Sequence, residues 1–175
     1  MKKIYIILTY TGTILSQIVK VYTRREFSHV SISLDENLTK MYSFGRLNPY
    51  NPFSGGFVHE RINQGTFKRF KNTKTKIYSL EVSEEKYKEL EKLIKEMYNE
   101  KESYKFNILG LIGILINHQV KRENYFYCAE FVKYVLEQSS IIELPDLVKP
   151  EDFEKIYGLD EIYKGLLREY NISSE

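Results

Sequence analysis

The 175-residue sequence predicts an α+β fold, and three observations carry that expectation. The first half is built of short segments rich in isoleucine, valine and tyrosine, with period-two or continuous apolar patterning. The second half holds two longer segments with helical spacing. No repeat, low-complexity tract or Pro/Gly-rich linker divides the two halves, and the length suits one hydrophobic core, so residues 1–175 read as a single domain.

Taken in order, Lys3–Tyr10 is a continuous apolar run, as expected of a strand buried on both faces. "TGTILSQIVKVYTRR" follows with Leu15, Ile18, Val19 and Tyr22 at helical spacing. "SHVSISLD" (28–35) alternates, with Val30, Ile32 and Leu34 on one face and His29, Ser31 and Ser33 on the other. The small serines leave room on their face for a helix to approach closely. "ENLT" is a hairpin turn into the strand "KMYSFGR" (40–46), and a loop dense in Asn, Pro and Gly leads to the strands "GFVHERIN" and "KIYSLEVS". "SEEKYKELEKLIKEMYNEK" is a helix with Ser83 as N-cap and acidic residues in its first turn, burying Leu90, Leu93, Ile94 and Met97. An apolar segment, 106–117, precedes a second helix, "YCAEFVKYVLEQ", with Phe131, Val132, Val135 and Leu136 inward. The segment 106–117 reads as core. The tail, with its Pro-Glu-Asp start, is expected to form one or two short helices.

Composition excludes several classes. A net charge of +2, with lysine and glutamate interleaved, gives no nucleic-acid footprint. The single cysteine forms no internal disulfide and no CxxC metal motif. His29, His59 and His118 share no ligand spacing, so no metal and no cofactor is expected. The opening "MKKIYIILTYTGT" has too short an apolar run and no small-x-small site for a signal peptide. The 106–117 segment is well short of the roughly 20 residues of a membrane span. A cytoplasmic location is the resulting expectation.

Two residues have the chemistry of a catalytic pair. Cys128 stands where a helix begins, and the backbone N–H groups of a first turn favour a thiolate and can hold an oxyanion. Free cysteines also pack as small apolar side chains, and read alone Cys128 fits that description too. His29 opens a strand; alone it is an ordinary surface histidine. Together, a helix-start cysteine and a strand-start histidine form the nucleophile and base of a cysteine hydrolase or acyltransferase. Arg46, after "YSFG", is either a solvated strand end or a clamp for a substrate carboxylate or phosphate.

"SHVSISL", "MYSFGR" and "YCAEFV", in that order, resemble the circularly permuted NlpC-type papain-like proteins, the YiiX-like group, a branch that also includes the lecithin–retinol acyltransferase-like proteins. In ordinary papain-like enzymes the cysteine helix comes first, whereas here His29 precedes Cys128 by 99 residues, the permuted order. The resemblance covers residues 3–60 and 120–140. It implies an antiparallel sheet packed against the cysteine-bearing helix, with Cys128 as nucleophile and His29 as base. It also implies a third polar residue that orients the imidazole, at or near Ser43. Family members carry His, Asn, Gln or Glu there, so a serine departs from the pattern, and Glu60 on the "GFVHERI" strand is the alternative. The implied substrates are amide or ester bonds in a small peptide, a cell-wall fragment or an acyl lipid. A binding module without turnover, and membrane-surface contact through 106–117, are the competing readings.

Overall fold

The computed structural model describes residues 1–13, 26–51 and 54–170. The helix expected over 11–25 falls mostly outside them. Six strands form one antiparallel sheet: β1 (Lys2–Tyr10), β2 (His29–Ser33), β3 (Met41–Arg46), β4 (Gly55–Glu60), β5 (Lys74–Val82) and β8 (Leu159–Leu166). Their order across the sheet is β4-β3-β2-β1-β5-β8. A two-residue parallel pair, β6 (Lys105–Phe106) and β7 (Tyr125–Phe126), lies apart from it. The helices are α1 (Gly65–Arg69), α2 (Glu84–Asn99), α3 (Ile108–Leu115) and α4 (Cys128–Gln138).

The central strand β1 shows why a continuous apolar run was needed. Ile4, Ile6 and Leu8 enter the main core, while Tyr5 and Ile7 enter a smaller cluster on the opposite face with Met41, Phe67 and Ile77. The main core holds the inward stripes of both long helices: Leu90, Ile94 and Met97 from α2, and Phe131, Val132, Val135 and Leu136 from α4. Each of these large side chains contributes roughly 1.5–3 kcal/mol by leaving water. Helix α4 packs on the face bearing Val30 and Ile32, and so lies directly over β2.

That placement differs from the sequence reading in one respect. The helix does not use the space beside Ser31 and Ser33; it covers the apolar face, and the serine face meets Tyr5, Ile7 and their neighbours. Two further differences have physical causes. The tail forms a 3₁₀ turn at Pro150–Lys155 and then the edge strand β8, rather than short helices alone. A register shift opposite Ile77/Tyr78 leaves Ile162 without a partner, so Ile162, Tyr163, Leu166 and Leu167 fall at a spacing that imitates a helix. The apolar segment 106–117 is only half core, because Ile114 is buried while Ile108, Leu109, Ile112 and Ile116 are exposed. Among the described residues no helix is long and apolar enough to cross a membrane.

Candidate active site

His29 is the first residue of β2 and pairs with Thr9 on β1, at the end of the sheet. Alternation puts Ser31 on the same face, two residues on. Glu60, the last residue of β4, is directed toward this face and is buried. The His29 Nε2–H donates to Glu60 Oε1 at 3.1 Å. Ser31 Oγ–H donates to Glu60 Oε2 and lies 3.3 Å from His29 Nε2. Both carboxylate oxygens are therefore held, and a carboxylate so held fixes the orientation of the ring.

The His29 side chain is 20% exposed and that of Glu60 9%. Burial on its own lowers the His29 pKa. The Glu60 carboxylate and then Cys128, each through charge and a hydrogen bond, outweigh it and hold the imidazole protonated well above its ordinary 6.5. Burial likewise raises Glu60, yet the His29 charge, with the nearby Ser31 and Ser43 hydroxyls, pulls it below its ordinary 4.5. The two groups form an ion pair in which each keeps the other charged.

Cys128 begins α4 and is 6% exposed. No side chain at the N-cap, Tyr127, accepts a first-turn N–H. Glu130 instead turns back to accept the Tyr127 backbone N–H at 3.1 Å. The Tyr127 hydroxyl donates to Val148 O at 2.8 Å and fixes the residue before the thiol. Fully buried Asn107 completes the support. Its Nδ2 donates to Glu130 Oε2 and to Val120 O, both at 3.0 Å, and its Oδ1 accepts the Gly110 N–H at the start of α3.

His29, Cys128 and Glu60 line one cleft of about 100 Å³, with Phe106, Leu111 and Arg46 among its other walls. Gly45 forms part of its floor, and a Cβ there would lie 3.4–3.5 Å from His29 Cε1, Ser43 Oγ and Glu60 Oε1. Three of the residues singled out in the sequence thus converge on one glycine. Of the two candidates for the third position, Glu60 bonds the ring. Ser43 is fully buried beside the carboxyl, and its hydroxyl has no hydrogen-bond partner among the described residues. His59 lies elsewhere, stacked 4.8 Å from Tyr42 and donating to Thr39 O, and His118 is exposed. No group of three or more His, Cys, Asp or Glu side chains suited to a metal occurs among the described residues.

Ser31, Asn107 and Glu130 escaped the sequence reading as parts of a site. Glu130 carried a signal, since an acidic residue at the third position of a helix is where a side chain can return to the N-cap N–H. Ser31 and Asn107 carried none, because their partners are distant in sequence. No protein-family model and no curated protein matches this sequence. The chemistry of the cleft therefore rests on its own residues.

Proposed function

We propose that this protein is a cysteine hydrolase of the permuted papain-like class, acting on an amide or ester bond. One observation carries the reading: Glu60 and Cys128 act on the same His29 ring, within one cleft, at the start of a helix. Glu60 and Ser31 occupy Nε2, which leaves Nδ1 as the ring nitrogen available to the thiol. The His–Glu pair orients the ring and stabilises an imidazolium, the part a third residue plays in a catalytic triad.

With His29 already protonated beside Glu60, Cys128 attacks the acyl carbon as a thiolate and gives a tetrahedral oxyanion. Backbone N–H groups in the uncapped first turn of α4 face that charge. Collapse breaks the bond to the amine or alcohol, which leaves with the proton from His29, and a thioester remains. Water, deprotonated by His29, then attacks the thioester carbon; the acid departs, and the thiolate is restored beside the re-protonated His29.

The test is labelling with an acyl-directed, thiol-reactive probe at neutral pH. Labelling should map to Cys128 and fall when His29 is changed to Ala. A rate no faster than that of an unactivated thiol, and insensitive to His29, defeats the proposal. A second reading, a binding module that keeps this architecture without turnover, draws on the 6% exposure of Cys128. The same probe separates the two readings.

A further inference from the structure

We infer that Arg46, backed by Arg69, recognises an anionic group, and that compounds cleaved in this cleft carry a carboxylate or phosphate near the scissile acyl bond. The inference rests on the hydrolase reading above and names its substrate class. Arg46 follows Gly45 on β3 and lines the cleft that holds Cys128 and His29. Its guanidinium lies 5.7 Å from the centre of the Phe70 ring, and that of Arg69 lies 5.3 Å from the same ring. Two like charges thus converge on one aromatic side chain. Arg69 is also stacked 4.0 Å over Tyr50, which holds its planar group in place.

Neither cation is balanced by a carboxylate among the described residues. No carboxylate forms an ion pair with Arg46 or Arg69 among the described residues, whose partners are Thr13 Oγ1 at 3.0 Å and Pro49 O at 3.0 Å. Of the residues outside those described, 14–25 and 52–53 contain no Asp or Glu, and Glu175 is the single acidic side chain. Glu60 is the one acidic residue among the described cleft walls, and both its oxygens are engaged by His29 and Ser31. A guanidinium has five N–H donors in a fixed fork, and Thr13 takes one direction of it. Burial and the nearby Arg69 charge both disfavour the protonated Arg46. A bound carboxylate or phosphate reverses both costs, and Arg is the side chain best shaped to hold either in two-pronged fashion. The apolar walls Phe106 and Leu111 leave room for the short chain that connects this anion to the acyl carbon.

Matched coumarin esters test this on the full chain: succinyl (carboxylate), 3-phosphonopropionyl (phosphonate) and succinamoyl (neutral). In each, attack by Cys128 forms the thioester, 7-hydroxycoumarin leaves with the His29 proton, and water releases the acid. The kcat/KM for at least one anionic ester should exceed that for the neutral ester by about 10-fold or more. The better of the two anionic arms identifies the source chemistry. Arg46→Gln should collapse the anionic-to-neutral ratio toward one, and Arg46→Lys should restore part of it. Arg69→Gln, at an exposed position, should lower the ratio by roughly 2–5-fold. Because the readout is a ratio within one variant, loss of folded protein does not imitate it. Cys128-dependent hydrolysis without anion preference, or with a ratio untouched by Arg46→Gln, overturns the inference alone. Hydrolysis that survives Cys128→Ala, or no hydrolysis at all, overturns the hydrolase reading with it.

Discussion

Helices α2 and α4 pack into the same core, yet they begin in opposite ways. At α2, Ser83 accepts the Lys86 N–H at 3.2 Å, Glu84 and Glu85 complement the helix dipole, and the whole turn faces water. At α4, the N-cap is an aromatic residue with no capping oxygen, and the first two residues, Cys128 and Ala129, are buried against the end of β2. The first helix satisfies its own end and has nothing left to bind. The second leaves donors and a thiol facing a charged imidazole. A helix start that is buried and uncapped is costly unless something else meets it. On our proposal, that something is the substrate.

The largest expected effect lies on the α4 side. Cys128→Ala should remove probe labelling altogether, while the far-UV circular dichroism and the thermal midpoint stay close to those of the parent. Residual labelling at any other position would mean that the two helix starts differ in packing alone. His29→Ala comes next, with a drop in labelling rate of about 10²–10⁴-fold, the range for loss of a positioned general base.

Glu60→Gln sharpens the contrast through pH. Losing one partner of a buried ion pair should cost roughly 3 kcal/mol in urea unfolding. His29, raised above 6.5 when folded, contributes stability that is fully present below that value and is lost as pH rises through its folded pKa. Glu60, lowered below 4.5, contributes stability that is present above that value and is lost as pH falls through its folded pKa. The deficit of the variant should therefore be greatest between about pH 4.5 and 6.5 and should shrink progressively above 6.5. A deficit independent of pH would show that the pair is not ionised. The smallest effect belongs to α2: Ser83→Ala should cost about 1 kcal/mol and leave the labelling rate unchanged. If it slowed labelling, the two helix ends would be coupled through the core.

These pairs also show where sequence is informative. The start of α2 is legible because every partner of Ser83 lies within one turn. The stripes of α2 and α4 are legible for the same reason, since periodicity is a local property. So is the apolar β1, since a strand buried on both faces reads as a continuous apolar run. The candidate site is legible only as residue types. His29, Cys128, Ser43 and Glu60 have the right chemistry, but whether Ser43 or Glu60 reaches the ring depends on a register spanning three strands. Strand pairing across 29 to 31 residues, which brings Ser31 and His29 to Glu60, leaves no periodic trace. The edge strand β8 was hidden by its bulge, and the exposed half of α3 by an apolar composition that does not reveal which neighbours are missing.

The fully buried Asn107 has a further consequence. One amide group grips the start of α3, the strand of chain at Val120 and the Glu130 carboxylate at the start of α4. The helix that carries the apolar Leu111 wall and the helix start that carries Cys128 are thus tied to one amide. On the hydrolase proposal, a bulky acyl group that pushes Leu111 aside should also shift Cys128 through Asn107. On that proposal, the size of the chain a substrate carries and the aim of the thiol become a single mechanical variable.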